Sequence, residues 1–90
     1  MEFPEPNKIT YTVYTKSNCS YCDRVKTLLQ DVQPPPVYVN CDEYLETCKT
    51  EFLAFISTLS GVSHKTFPIV FYGGEFIGGY NDTKSHCDDF

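Results

Sequence analysis

Two sulfurs stand one helical turn apart in Cys19-Ser20-Tyr21-Cys22. Thiols at that spacing can be half of a zinc site or can cycle between dithiol and disulfide. A structural zinc site needs a second ligand pair with similar spacing. Cys41 and Cys48 are separated by six residues, and His86 and Cys87 are adjacent, so neither supplies it. The redox dithiol is therefore the chemistry expected. Of the two sulfurs, Cys19 should be the nucleophile. A helix that starts beside it would offer unpaired N–H groups and the positive end of its dipole to a thiolate, and Lys16 adds a cation nearby. Cys22, one turn further in, should be the resolving thiol and less exposed.

The flanking residues supply the elements that this chemistry needs. Ile9–Thr15 is rich in β-branched and aromatic residues and predicts a strand. Tyr21, Val25, Leu28 and Leu29 recur at helical spacing and predict an amphipathic helix, with Ser17 or Asn18 as its cap. Three consecutive prolines, Pro34–Pro36, stop that helix, and a short strand follows from Pro36 or Val37 to Val39. A strand–helix–strand unit of this length predicts a right-handed parallel crossover. Asn40–Leu59 reads as helical, with Leu45, Cys48, Phe52, Phe55 or Ile56, and Leu59 on one stripe. Asn40 and Glu43 could form a capping box, and a break near Cys48-Lys49 is open. Gly61 ends the helix and Val62–Lys65 is a loop. Pro68–Tyr72 and Glu75–Ile77 form a hairpin about Gly73-Gly74, and Gly78-Gly79 makes a second sharp turn. Asn81 or Asp82 can cap a final helix running to about Asp88.

Ninety residues permit one small domain with a modest core, and 41% hydrophobic with 16% aromatic residues argues against disorder. Residues 1–90 are read as that single domain, with 1–8 a short flexible leader. The net charge of −5 and the scattering of seven basic residues give no support to nucleic-acid binding. No apolar run reaches membrane-spanning length, and Met1–Lys8 has no apolar core of a signal peptide. Five cysteines without secretory signals point to a reducing compartment, so a cytoplasmic location is expected. Cys48 is assigned to the core by its place on the apolar stripe. Cys87 is expected to be exposed, and His64 and His86 to be solvated.

Four blocks in order carry a family resemblance: Lys16, Cys19-Ser20-Tyr21-Cys22, Thr66-Phe67-Pro68 ahead of a strand, and Gly78-Gly79-Tyr80-Asn81-Asp82. From about Ile9 onward the chain closely resembles a glutaredoxin. The order β-α-β-α-β-β-α describes a thioredoxin-like α/β fold, and the resemblance implies a four-stranded mixed sheet flanked by about three helices. It also implies a glutathione-dependent thiol–disulfide oxidoreductase that acts on glutathionylated substrates and protein disulfides. In that likeness Lys16 and Lys65 receive the glycine carboxylate of glutathione, and Tyr21 lines its groove. Pro68 is cis, and Thr66 and Phe67 lie beside it, with the Phe67 backbone pairing to the cysteinyl part like an added strand. Gly79, Asn81 and Asp82 face the γ-glutamyl end. Two departures stand out. Ser20 replaces the commoner proline after the first cysteine, and Phe67 replaces the commoner valine.

The same resemblance implies glutathione as co-substrate and a monomer, with ribonucleotide reductase as one client. Its rival from another class is a [2Fe–2S] carrier or sensor, in which Cys19 and glutathione from two copies hold the cluster; Ser20 favours it. A third reading is a thioredoxin-type protein reduced by a flavoenzyme, and the Gly78–Asp82 block argues against that.

Overall fold

A computed structural model describes residues 3–88. The elements follow in the order β1 (Tyr11–Thr15), α1 (Ser20–Leu28), β2 (Val37–Asn40), α2 (Asp42–Thr47), α3 (Lys49–Ser60), β3 (Ile69–Tyr72), β4 (Glu75–Gly78) and α4 (Tyr80–Asp88). Among the described residues the strands form one sheet in the order β2-β1-β3-β4. β1 and β2 are parallel, with Val13 opposite Tyr38, as the crossover through α1 requires. β1 and β3 run antiparallel with Val13 opposite Val70, and β3 and β4 form the hairpin. Gly73 and Gly74 both take positive φ, 57° and 90°, which a tight two-residue hairpin turn demands.

The sheet divides the core by the two-residue alternation of its strands. Tyr14, Ile69 and Phe71 join Cys41, Phe52 and Ile56 in one cluster. Tyr11, Val13 and Val70 join Val25 and Leu29 of the α1 segment in the other. Every residue of β1 is buried, since helices cover both faces. Phe52 is fully buried, and its ring meets Tyr14, Tyr44 and Phe3. Burial of a side chain of this size stabilises by about 1.5–3 kcal/mol.

Four expectations change on contact with the structure. The leader is held from Phe3 onward, because the Phe3 ring packs on Tyr44, Phe52 and Phe55 with centroids 5.1–5.3 Å away. The buried Tyr14 hydroxyl needs an acceptor and donates to the Pro4 carbonyl at 2.6 Å. Met1 and Glu2, the rest of the expected flexible leader, lie outside the described residues. β1 begins at Tyr11, later than Ile9, because the Asn7 side-chain oxygen takes the N–H groups of Ile9 and Thr10 at 2.8 and 3.2 Å. The Asn40–Leu59 stretch takes the break left open near Cys48-Lys49, at Cys48 (φ −151°, ψ 47°), so four helices rather than about three flank the sheet among the described residues. No Asn40–Glu43 capping box forms: Cys41 is the N-cap of α2, and the Asn40 side-chain oxygen instead accepts the Asp42 N–H at 3.0 Å. Gly61 ends α3 at φ 77°, the left-handed conformation that glycine adopts without steric cost.

Candidate active site

β1 delivers the chain to one end of the sheet, and Lys16, Ser17 and Asn18 turn it into α1. Asn18 has φ 56°, a left-handed value that asparagine tolerates better than most side chains. The N-cap of α1 is Cys19 itself, where Ser17 or Asn18 was expected. Its backbone is extended, and its Sγ accepts the Cys22 N–H at 3.2 Å. The sulfur thus takes the place that a serine or aspartate oxygen fills at other helix starts. Ser17 is engaged elsewhere, donating its N–H to Asp42 of α2 at 2.8 Å.

Cys19 and Cys22 are joined in a disulfide with Cα atoms 5.2 Å apart. Cys22 is 1% exposed on the buried face of α1, whereas Cys19 is half-buried at the rim. An incoming sulfur can therefore reach Cys19 and not Cys22. This asymmetry is what a nucleophile and a resolving thiol need.

Beside Cys19 lies an open groove of about 480 Å³, lined by Tyr21, His64, Thr66, Phe67, Pro68, Gly79, Tyr80, Asn81 and Asp82. The Phe67-Pro68 bond is cis. The Phe67 carbonyl oxygen lies 3.8 Å from Cys19 Sγ, so this backbone edge and the reactive sulfur face one space. At the far end Gly79 precedes α4. Asp82 accepts the Gly79 N–H at 3.3 Å, and Thr83 fixes the turn by donating its hydroxyl to the Gly79 carbonyl at 2.8 Å. Gly78 has φ 133°, and a β-carbon there would collide with the Asp82 side chain. A carboxylate and a helix N-terminus thus stand together, a pairing suited to a ligand group that bears both charges.

Seven of the expected residues (Tyr21, Thr66, Phe67, Pro68, Gly79, Asn81 and Asp82) come together in this lining. Lys16 and Lys65 do not. Lys16 Nζ stands 5.6 Å from the centroid of the Phe67 ring, and Lys65 is exposed just before Thr66. The reading from sequence missed His64 and Tyr80, which complete the wall. Tyr80 sits between two matched residues, with its ring 5.9 Å from Tyr21. His64 lies two residues before Thr66, and its Nε2 stands 3.5 Å from the Thr66 hydroxyl. Its ring packs edge-on against Phe76, so it is not the solvated side chain expected.

The other polar expectations also shift. His86 Nδ1 and the Tyr11 hydroxyl share a 2.7 Å hydrogen bond, and Cys87 Sγ lies 3.5 Å from the same hydroxyl. Both residues are half-buried, which corrects the solvated His86 and the exposed Cys87. Burial pushes the Tyr11 phenol well above its ordinary range, and the neighbouring Cys87 adds to this. Cys48 is buried in the core as expected. No helix among the described residues is long and apolar enough to cross a membrane.

Comparison with known proteins points in one direction. The glutaredoxin family model matches residues 11–77. The Arabidopsis thaliana protein monothiol glutaredoxin-S12, chloroplastic, is 37% identical over 71 residues, covering 79% of this chain and 38% of the relative. The chain spans between 38% and 50% of the lengths of the first curated relatives it matches. Among solved structures, a buckwheat glutaredoxin–glutathione complex superposes with a TM-score of 0.69 at 30% identity, over 92% of this chain and 73% of that one. Glutaredoxin 1 from Francisella tularensis, complexed with cacodylate, superposes with a TM-score of 0.74 over 88% of this chain and 92% of that one. At 23% identity it speaks for the fold, which is thioredoxin-like.

Proposed function

The chain belongs to the glutaredoxin family, and from that premise we propose that it is a glutathione-dependent thiol–disulfide oxidoreductase. The observation that carries the reading is the continuity of the groove. Its lining joins the Phe67 backbone, whose carbonyl oxygen lies 3.8 Å from Cys19 Sγ, to Asp82 at the start of α4, so a peptide-like thiol bound there would present its sulfur to Cys19. In this reading the Cys19 thiolate attacks the glutathione sulfur of a mixed disulfide. The bond to the substrate sulfur breaks, and the substrate leaves as a thiolate that takes up a proton. A second glutathione thiolate then attacks the glutathione sulfur held on Cys19. Glutathione disulfide departs and the Cys19 thiolate returns. With a protein disulfide, Cys19 forms the mixed disulfide and Cys22 resolves it. Two glutathiones then reduce the Cys19–Cys22 bond and leave as one disulfide.

Residues Thr66 to Pro68 would hold the cysteinyl part, and Gly79, Asn81 and Asp82 the γ-glutamyl end. Lys16 and Lys65 would supply charge from outside the groove lining, each worth about 1 kcal/mol or less in exposed positions. Clients are disulfide or glutathionylated proteins, with ribonucleotide reductase among them, in a cytoplasmic setting, and the protein acts as a monomer. The deciding measurement is turnover of a glutathionylated small disulfide with glutathione as reductant. Cys22→Ser should retain that turnover while losing most reduction of protein disulfides. Equal loss of both in Cys22→Ser would overturn the division of labour.

Ser20, exposed beside Cys19 where the commoner residue is proline, leaves room for the approach of a second copy and favours a second activity in the same protein. Cys19 and bound glutathione could supply two of the four sulfur ligands that a [2Fe–2S] centre takes, and a second copy the other two. Anaerobic reconstitution with iron, sulfide and glutathione should then give a coloured dimer, with less of it in Ser20→Pro. A wild-type protein that stays colourless and monomeric would remove this second activity.

A further inference from the structure

The turn that presents Cys19 is tied to a helix that takes no part in the groove. Asp42, the first residue of α2, receives two hydrogen bonds from Ser17. The Ser17 N–H donates to Oδ1 at 2.8 Å, and the Ser17 hydroxyl donates to Oδ2. Asp42 is itself fixed by its position. Its N–H donates to the Asn40 side chain at 3.0 Å, and the preceding Cys41 N–H extends the β1–β2 pairing to the Thr15 carbonyl at 2.8 Å. Thr15, at the end of β1, and Ser17, two residues on, are therefore gripped by the same short stretch, Cys41-Asp42. The next residues are Asn18, in its left-handed conformation, and Cys19, whose sulfur caps α1.

We propose that Asp42 is a positioning residue for the reactive cysteine: by holding Ser17 it fixes the turn that sets Cys19 Sγ onto the N–H groups of α1. Asp42 is absent from the groove lining, and its positioning effect passes through Ser17. The proposal rests on the oxidoreductase reading for its relevance to turnover, but the placement of Cys19 can be tested without any substrate. The Ser17 bonds, with Asn40 and then Lys16 as smaller contributors, hold the Asp42 carboxyl below its ordinary range, so the carboxylate form is the one that grips the turn at neutral pH. Without the grip, the Lys16–Asn18 turn can relax and the sulfur can leave the Cys22 N–H that it now accepts at 3.2 Å. A thiolate that loses such a donor becomes harder to form.

Electrostatics alone would act in the opposite direction. Removing the Asp42 charge takes a negative group away from the neighbourhood and leaves Lys16 uncompensated, and both changes ease thiolate formation. The sign of the effect therefore separates positioning from charge.

The experiment uses the reduced protein in a Cys22→Ser background and follows Cys19 by thiolate absorbance against pH and by its rate of alkylation with iodoacetamide. Asp42→Ala should raise the Cys19 midpoint by about one pH unit and slow its alkylation at neutral pH several-fold. Asp42→Asn, whose amide oxygen still accepts the Ser17 N–H, should leave the midpoint at or below that of wild type. Ser17→Ala keeps the backbone bond and should give a smaller rise, and adding it to Asp42→Ala should produce no further change. A midpoint unchanged or lowered in Asp42→Ala overturns the proposal, as does an Asp42→Asn that shifts as far as Asp42→Ala. Should Asp42→Ala lose its fold by circular dichroism, Ser17→Ala decides, and a midpoint equal to wild type counts against the tie. Turnover of the glutathionylated disulfide by wild type tests the enzyme reading separately.

Discussion

Three cysteines in this chain occupy the same formal position, the N-cap of a helix: Cys19 before α1, Cys41 before α2 and Cys48 before α3. The helix dipole is common to all three, yet their surroundings differ sharply. Cys19 has extended backbone, half-exposure and a sulfur that accepts the Cys22 N–H. Cys41 is fully buried among Tyr14, Phe52 and Ile56, and its sulfur makes no capping bond; the thiol instead points to the Val39 carbonyl at 3.5 Å. Cys48 likewise makes no side-chain capping bond and lies in the core. Burial, with the Asp42 charge next to it, pushes the Cys41 thiol up to about 12. A helix terminus activates sulfur only when the sulfur is aimed at the N–H groups and water or substrate can reach it.

The strongest way to break this comparison is to ask whether a buried cysteine can substitute for the exposed one. Cys19→Ser should reduce turnover of the glutathionylated disulfide to background, although four cysteines, Cys22, Cys41, Cys48 and Cys87, remain. Residual turnover above background, abolished by a further Cys41→Ala or Cys48→Ala, would show that a buried sulfur can act without access or aim.

A finer test compares the rates at which the thiols react. With its midpoint at about 12, Cys41 is a thiolate in only about one molecule in 100,000 at neutral pH, before any steric shielding is counted. After mild reduction, brief iodoacetamide treatment and peptide mapping should therefore find Cys19 labelled and Cys41 untouched until the protein unfolds. Labelling of Cys41 in the folded protein at a rate near that of Cys19 would refute the contrast.

How much of this was legible in the sequence differs between the two regions. The Cys19 region was readable because its signals are local. A β-rich run, a CxxC and helical periodicity follow one another within twenty residues, and the glycines of the hairpin announce their own turns. The α2–α3 region was harder. Its apolar stripe continues through Cys48, so periodicity alone runs across the break that the backbone makes there. The tie between Ser17 and Asp42 spans 25 residues and depends on how β2 delivers the chain, which no local pattern encodes. Phe3 was misjudged for the same reason: a short prolyl leader looks solvent-bound until Tyr44, Phe52 and Phe55 surround its ring.

A smaller effect sharpens the structural side of the comparison. If Cys41 serves packing alone, Cys41→Ala should cost about 1 kcal/mol of stability, the scale of removing one small buried group. Turnover of the glutathionylated disulfide should be unchanged, because the Cys41 sulfur touches neither the groove nor Cys19. Denaturant melts read the first quantity and the glutathione assay the second. A loss of turnover without loss of stability would give Cys41 a role that its burial denies.

The smallest effect concerns what α2 has in place of an activated sulfur. The anion in its first turn that Ser17 engages is the Asp42 carboxylate, whose folded-state midpoint lies below the ordinary value because it accepts two bonds from Ser17. A carboxyl with a lowered midpoint contributes stability that is fully present above its unfolded value of about 3.9. That contribution drains away as pH falls through the folded value, when the protonated acid no longer accepts both Ser17 bonds. Asp42→Asn has no such titration. In urea melts, wild type should exceed Asp42→Asn in midpoint near neutrality, and the gap should close as pH drops below about 4. Because the group is exposed and the asparagine oxygen keeps one Ser17 bond, the gap should be modest, as an exposed charge–dipole contact in water is screened. A gap of constant size from neutrality down to pH about 2 would mean that the difference between the two side chains is steric, and that the carboxylate contributes nothing through its charge.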